Sequence, residues 1–417
     1  MTANAFSLPY GTTALEFHCG FRPESLTVRD PAVTIDPPRF RRRLDRYLAD
    51  AGLDLSRVAV VVADQTRLCG YPQYLPVLLE ALAAAGADMH RLRIHIAYGT
   101  HGPQDAGRCR QAYGTAYTGP PTWVHHDSND QDAFVTLGTT GRGTPVRLRR
   151  DIVDASCVIT FGAIAHHYFA GFGGGRKLIF PGLGERAAIH ANHGLFLDRA
   201  GRRLAPGCQA GRLAGNSLAE DLAEIEAFRP ADLAVHGILD SHGQVCDLLV
   251  GSGEAHFQEA CRRHADGCTI AGGPFDLVLA ACGGFPKDIN LIQSHKAIHN
   301  AAAFVRDGGR LIVLARCDGG VGSDTFLPWF DLGSRDAAFD RLAAHYAGNG
   351  GTALAMMAKT ARIRIGLVTD LDPRVIAAIE CDLLSPEQAH REILAHRGSM
   401  AVMPNAGVVI RAQGGTP

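Results

Sequence analysis

The stretch of the chain richest in chemically useful side chains is residues 162–193, GAIAHHYFAGFGGGRKLIFPGLGERAAIHANH. Gly171, Gly173, Gly174 and Gly175 strip side chains from a loop predicted to follow a strand, and Arg176 and Lys177 set two cations at its end. Bare backbone N–H groups beside cations make a phosphate cradle; the same glycines also make an ordinary structural turn. The spacing is neither GxGxxG nor GxxxxGK followed by Ser or Thr, because Leu178 stands where the hydroxyl residue belongs. His190 and His193 are three apart on a helix predicted over 185–196 and so share a face. A protein-only transition-metal site takes three or four ligands, and no HExxH or carboxylate cluster lies nearby. Either these are surface or capping histidines, or a metal here draws most of its coordination from something other than the protein.

Three shorter segments carry further polar chemistry. DQTR at 64–67 sets an acid and a base three residues apart, as a loop ion pair or as ligand contacts. GTH at 99–101 ends a predicted strand on an imidazole, His101. GFPKDINLIQSHK at 284–296 puts Gln293 and Lys296 on one helical face, either solvated or turned to a ligand.

These segments need a scaffold, and the periodicity supplies one. RVAVVVAD at 57–64 reads as a buried strand, 74–85 as a helix and 91–98 as the next strand, a βαβ unit whose strand ends deliver residues 64–67 and 99–101 to one side. A strand over 157–164 delivers 165–177 likewise, and in open parallel sheets ligands sit beyond such carboxyl ends. Farther along, 254–265 reads as a helix, 276–281 as a strand, 288–306 as a long helix, 310–316 and 362–369 as strands, and 385–396 as a helix. The expected fold is α/β: two α/β domains with mixed or parallel sheets and an active-site cleft between them. The Gly272–Gly273–Pro274 turn marks the boundary, giving domains at 1–270 and 271–400, with a tail at 401–417 returning as a strand to the first.

Composition narrows the class. The 417 residues carry a net charge of −1, which offers no basic excess for nucleic acid or an anionic membrane surface. Forty-eight glycines are well above the average of about 7%, as close backbone approaches require. No apolar run nears the roughly 18 residues of a spanning helix, and no charged-then-apolar leader opens the chain. Eleven cysteines without a CxxC pair argue against zinc ribbons and fit a reducing, cytoplasmic setting.

Taken together, these pieces resemble the nickel-dependent lactate racemase family, the 2-hydroxyacid racemases that use a nickel-pincer nucleotide. The resemblance rests on DQTR at 64–67, GTH at 99–101, GTPVRLRRDIVDASCVITFGAIAHH at 143–167, AGFGGGRK at 170–177, PG at 181–182, NH at 192–193 and GGFPKDINLIQSHK at 283–296, in this order. It implies a pyridinium-3-thioamide-5-thiocarboxylic acid mononucleotide covalently linked to Lys177, with Ni held by two sulfurs and one ring carbon of that cofactor and by His193. It further implies His101 and His167 as the catalytic pair, Arg67, Lys296 and Gln293 around the substrate, and Asp64, Gly173, Gly174, Gly175 and Arg176 around the cofactor. The chain departs from the family at Leu68 and at Ala165 and His166, where prolines are usual, and at Ile292, where a tyrosine can occur.

Inverting Cα of a 2-hydroxy acid means breaking and remaking a C–H bond. Proton removal beside a carboxylate is difficult, whereas hydride loss coupled to loss of the hydroxyl proton gives a neutral keto group. Two histidines then serve as bases for the two enantiomers, and an arginine and a lysine hold the carboxylate. The expected partners are a small 2-hydroxy acid and the enzymes that build the cofactor. His166, Arg176, Lys287 and His295 offer a further polar contact for a substrate larger than lactate, or are simply solvated. Two rival readings are a nicotinamide-dependent 2-hydroxyacid dehydrogenase, for which no GxGxxG follows a strand, and a non-catalytic protein that binds a nucleotide-like ligand.

Overall fold

The computed structural model describes residues 4–412, which form two compact α/β units. The first comprises Asp30–Phe196 and Ala205–Gly267; the second takes the described residues before Asp30, Leu197–Leu204 and those from Cys268 onward. None of the described helices is long and apolar enough to cross a membrane.

The first unit is built on a six-stranded mixed sheet. Its strands run in the order Val245–Gly251, Leu233–Leu239, Cys157–Ala163, Val58–Ala63, Arg93–Ala97 and Thr122–His125. All neighbours are parallel except the first pair, an antiparallel hairpin. Every residue of the central strand Val58–Ala63 is buried, which accounts for its unbroken Val and Ala run: a strand covered on both faces has no polar side to alternate. The following helix, Tyr71–Ala84, starts three residues earlier than expected, because Gly70 takes a left-handed turn (φ +61°) and Pro72 suits the first helical turn.

The second unit holds a wholly parallel sheet ordered Asp382–Leu384, Arg364–Val368, Val305–Leu314, Phe275–Ala281, Met400–Met403 and Glu24–Ser25. Two expectations are corrected here. The tail does not return to the first unit: Met400–Met403 pairs with Phe275–Ala281, and Ile410–Arg411 with Thr269–Ile270, while 413–417 lie outside the described residues. It is the N-terminal segment that crosses over, its hairpin Asn4–Tyr10/Thr13–Cys19 burying Leu8, Phe17 and Cys19 among Leu277, Leu279, Ile312 and Val402. The helix expected over 288–306 is only Leu291–Ala302, since the Asn290 side chain caps it by accepting from Gln293 N at 2.9 Å and Val305 already begins a strand.

Lys359, on helix Gly350–Thr360 of this unit, is 7% exposed; its Nζ donates to Ala355 O at 2.7 Å and lies 3.2 Å from His295 Nε2. Burial, helped by Arg362, pushes its pKa down to about 7. The unfolded chain keeps this proton up to the ordinary lysine range, so unfolding takes up a proton between the two pKa values and stability rises with pH across that window. Wild type should therefore gain up to about 1.4 kcal/mol per pH unit from this group between about pH 7.5 and 9.5. Lys359→Met removes that slope. Urea unfolding of both proteins at the two pH values measures it, and equal slopes would contradict the assignment.

Candidate active site

The carboxyl ends of Val58–Ala63, Arg93–Ala97 and Cys157–Ala163 converge on a cavity of about 130 Å³ in the first unit. Asp64, Arg67, His101, His167, Gly174, Lys177 and His193 all line it. Of the cationic, imidazole and carboxylate side chains singled out in this part of the chain, Arg176, His166 and His190 are missing from the wall.

Asp64 directly follows the central strand, and its position is held by two phenols. Tyr71 Oη accepts from Ala63 N at 2.9 Å and donates to Phe161 O at 2.8 Å, while Tyr113 Oη donates to Ala63 O at 2.9 Å. Gln104 ties the neighbouring loops together: its Oε1 accepts from Gln65 N at 2.9 Å, and its own N donates to Tyr98 Oη at 3.2 Å. Both oxygens of the Asp64 carboxylate are used. Oδ1 accepts from Thr66 N and Oγ1 at 2.9 and 2.6 Å, and Oδ2 lies 2.9 Å from His101 Nδ1. Burial pushes this carboxyl upward, but the hydrogen bonds from His101 and Thr66 outweigh it and hold the pKa below the ordinary aspartate value. An ionised carboxylate can only accept, so the proton on His101 sits on Nδ1 and the Nε2 lone pair is the basic one. Gly99 (φ +59°) makes the turn that brings His101 round, its N donating to Gly182 O at 2.9 Å.

His167 comes from a short hairpin in which Ala165–His167 pairs with Gly171–Gly173. Its Nδ1 accepts from Ala170 N at 3.3 Å, which directs the proton of the neutral ring to Nε2, the opposite tautomer from His101. Phe169 stands edge-on to both His167 and His193, at 4.4 and 5.3 Å between ring centroids.

Lys177 lies in the 3₁₀ turn Gly175–Leu178 and is 8% exposed. Burial, reinforced by Arg67, holds its pKa well below the ordinary lysine value, so the amine tends to be neutral and nucleophilic. His193, on helix Arg186–Gly194, has its pKa lowered to about 3 by burial and then by Lys177; a neutral imidazole is the form that ligates a metal. Gly174 (φ +79°) cannot be replaced without strain, because a β-carbon there would run into the Ala163 carbonyl. Among the described residues no three His, Cys, Asp or Glu side chains group as metal ligands.

Several expected contacts point elsewhere. The Arg176 guanidinium pairs with Glu226 at 3.2 Å and with Glu254, and lies over the Phe257 ring at 4.3 Å, so it braces the turn from behind rather than facing the cavity. Gly173 and Gly175 do not line the wall either; a β-carbon on Gly175 would meet Phe257. His166 packs against His264 at 4.7 Å and Phe172 at 5.2 Å, and His295 is buried beside Lys359. Lys296 and Gln293 belong to the second unit, where Lys296 Nζ donates to Gln293 Oε1 at 2.8 Å. The Tyr71–Tyr113–Gln104 network and Phe169 escaped the sequence reading. Only Gln104 and Phe169 carried a signal, since each lies within three residues of a catalytic-type histidine.

Residues 41–204 match the lactate racemase N-terminal domain and residues 270–347 the lactate racemase C-terminal domain. The lactate racemase of Thermoanaerobacterium thermosaccharolyticum is 29% identical over 288 residues, 68% of this chain and 66% of the relative. That of Lactiplantibacillus plantarum is 29% identical over 272 residues, 64% of this chain and 62% of the relative. The chain thus spans just under two thirds of the length of these curated relatives. The solved lactate racemase apoprotein from T. thermosaccharolyticum superposes with a TM-score of 0.86 at 22% identity, covering 98% of this chain and 100% of that one. A Thermotoga maritima protein superposes with a TM-score of 0.69 at 15% identity, covering 92% and 99%. At these identities the superpositions establish the α/β fold.

Proposed function

This chain belongs to the lactate racemase family, and from that premise we propose that it is an isomerase that inverts Cα of a 2-hydroxy acid. The observation that carries the proposal is the convergence of Arg67, His101, His167, Lys177 and His193, drawn from five separate segments, on one cavity. A nicotinamide dehydrogenase needs no buried lysine beside a neutral histidine.

The residues present suit a nickel-pincer nucleotide. Lys177 offers a buried amine whose pKa is held well down for a covalent link, His193 a neutral imidazole as a single protein ligand, and Gly174 a bare backbone edge. A lone imidazole suffices when the remaining ligands come with the cofactor. When bound, that group supplies an electron-poor ring able to take the α-hydrogen with its electron pair.

The protein's own contribution is to bind the acid and move one proton. Arg67 presents its guanidinium to the cavity and can take the substrate carboxylate through two parallel N–H donors. His101 Nε2 accepts the hydroxyl proton, and Asp64 stabilises the imidazolium that results. For the other enantiomer His167 takes this part. Its neutral ring carries the proton on Nε2, where it donates a hydrogen bond to the substrate oxygen, and it returns a proton from its imidazolium form, while neutral His101 is set to remove one. A reaction that runs through a keto acid then needs one of the two histidines neutral and the other protonated at the start of each turnover. Lys296 and Gln293 are proposed as further substrate contacts.

Holo-protein, matured with the cofactor-building enzymes, should convert either enantiomer of lactate or of a longer 2-hydroxy acid to a racemate, followed by chiral chromatography. Unmatured protein should not. An NADH-driven reduction of the keto acid, with no racemisation by matured protein, would overturn the proposal.

Asp64→Asn keeps an acceptor for His101 but removes the charge. It should lower kcat about 10–100-fold with little change in KM and with cofactor loading unaltered by intact mass. A selective rise in KM would show instead that Asp64 acts on the substrate.

A further inference from the structure

The first unit has a second recess, of about 570 Å³, at the opposite ends of the strands that feed the catalytic cavity. Arg57 immediately precedes Val58–Ala63, Arg93 opens Arg93–Ala97, and Arg149 and Arg150 stand at the end of Pro145–Arg149, on the approach to Cys157–Ala163. Strands of six residues at about 3.3 Å per residue put roughly 20 Å between the two places, so this recess is not an annex of the first.

Its charge is unusual for a chain whose net charge is −1. Five arginines line it, Arg57, Arg91, Arg93, Arg149 and Arg150, against three aspartates. Asp151 is already engaged. Its oxygens accept from Arg149 Nε and Nη2 at 3.0 and 2.9 Å, and Arg93 lies 3.9 Å away. This carboxylate holds the Arg149 guanidinium and lies near that of Arg93. Arg57, Arg91 and Arg150 form no ion pair among the described residues, and none of the three side chains has a hydrogen-bond partner there. Like charges gathered in one recess repel one another, and nothing in the local strand pattern requires arginine at these starts. The arrangement becomes favourable when an anion enters.

We propose that this recess is a binding site for a small diphosphate ester, of the nucleoside- or sugar-diphosphate class. Planar guanidiniums match phosphate oxygens in pairs, and several of them in one recess suit two linked phosphates better than one. The volume exceeds what a single phosphate fills and lies in the range of pockets that hold drug-sized ligands. Asp132 and Asp154 on the wall supply acceptors for the hydroxyl or amino groups of the organic part. The same two carboxylates oppose an extended polyanion laid across the rim, which disfavours nucleic acid and anionic membrane. The site stands apart from the proposed racemase chemistry, and its test does not depend on it.

The test is calorimetric titration of the unmatured protein with pyrophosphate and with ADP, at about 0.05 and 0.15 M salt. Saturable binding near one ligand per chain is expected, weakening as salt rises. Arg57→Ala/Arg150→Ala should weaken it about tenfold or more, and Arg57→Lys/Arg150→Lys by less, because the charge remains without the fork. His101→Ala should bind as wild type does. Three results would overturn the proposal: no saturation by about 5 mM pyrophosphate or ADP, undiminished binding in the double alanine variant, or binding confined to RNA or phosphatidylserine vesicles.

Discussion

His101→Ala and His167→Ala, each fully matured, are expected to lose racemisation by about 10²–10⁴-fold while carrying the same covalent mass and metal as wild type. The expectation follows from the two hydrogen bonds that set the rings: Asp64 to His101 Nδ1 at 2.9 Å, and Ala170 N to His167 Nδ1 at 3.3 Å. In the proposed scheme each ring meets the substrate hydroxyl at Nε2, the neutral one as base and the protonated one as acid. Removing either leaves a proton with nowhere to go in one half of the cycle. The two enantiomers of lactate are equal in free energy, so a defect in one half lowers the net rate in both directions alike. A variant that retained near-normal rates from both enantiomers would reject the two-histidine scheme. Loss of the covalent mass in either would reassign that histidine to cofactor binding.

Lys177→Ala should abolish the covalent adduct outright, with the intact mass of matured protein equal to that of the bare chain. His193→Ala should keep the adduct and lose nickel, falling from about one metal per chain to background. The two separate because they rest on different properties of neighbouring groups. Burial pushes the Lys177 pKa well down, toward the neutral amine a nucleophile needs, and His193 is held neutral, as a ligand must be. Lys177→Arg will not restore the adduct, since a guanidinium keeps its proton at any accessible pH. Intact-mass spectrometry and metal analysis on the same samples read both outcomes. An adduct surviving in Lys177→Ala would move the attachment point to another residue, and full nickel in His193→Ala would remove that residue from the metal.

Much of the site was legible because its chemistry is local. The uninterrupted run Val58–Ala63 announces a strand buried on both faces, and such strands end in loops that carry polar residues. The sequence alone therefore assigns Asp64, Arg67 and His101 to one side of a sheet. The glycine run ahead of Lys177 signalled a tight backbone approach, and Gly174 against the Ala163 carbonyl is that approach. The helix expected near the C-terminal end also formed. Ser385 and Gln388 form a capping box at the start of Pro386–Ala395, inside the expected 385–396 helix.

Arg176 and Asp64 mark where that reading stopped. Adjacent in sequence, Arg176 and Lys177 look like a pair of cations for one phosphate. A 3₁₀ turn rotates successive side chains by about a third of a circle, so one faces the cavity and the other faces Glu226 and Glu254. Asp64 looked like a ligand contact, and its partner turned out to be an imidazole 37 residues away. Glu24–Ser25 and Met400–Met403 likewise joined the second unit's sheet, against expectation for the tail. By itself, then, the amino-acid order determined which residue types reach the ends of which strands, because turn, cap and periodicity preferences act over a few positions. The tertiary structure alone decided which neighbour each side chain meets, which imidazole nitrogen keeps its proton and which sheet each terminus joins. Those outcomes depend on strand pairing and packing between residues far apart in the chain, and no local pattern encodes them.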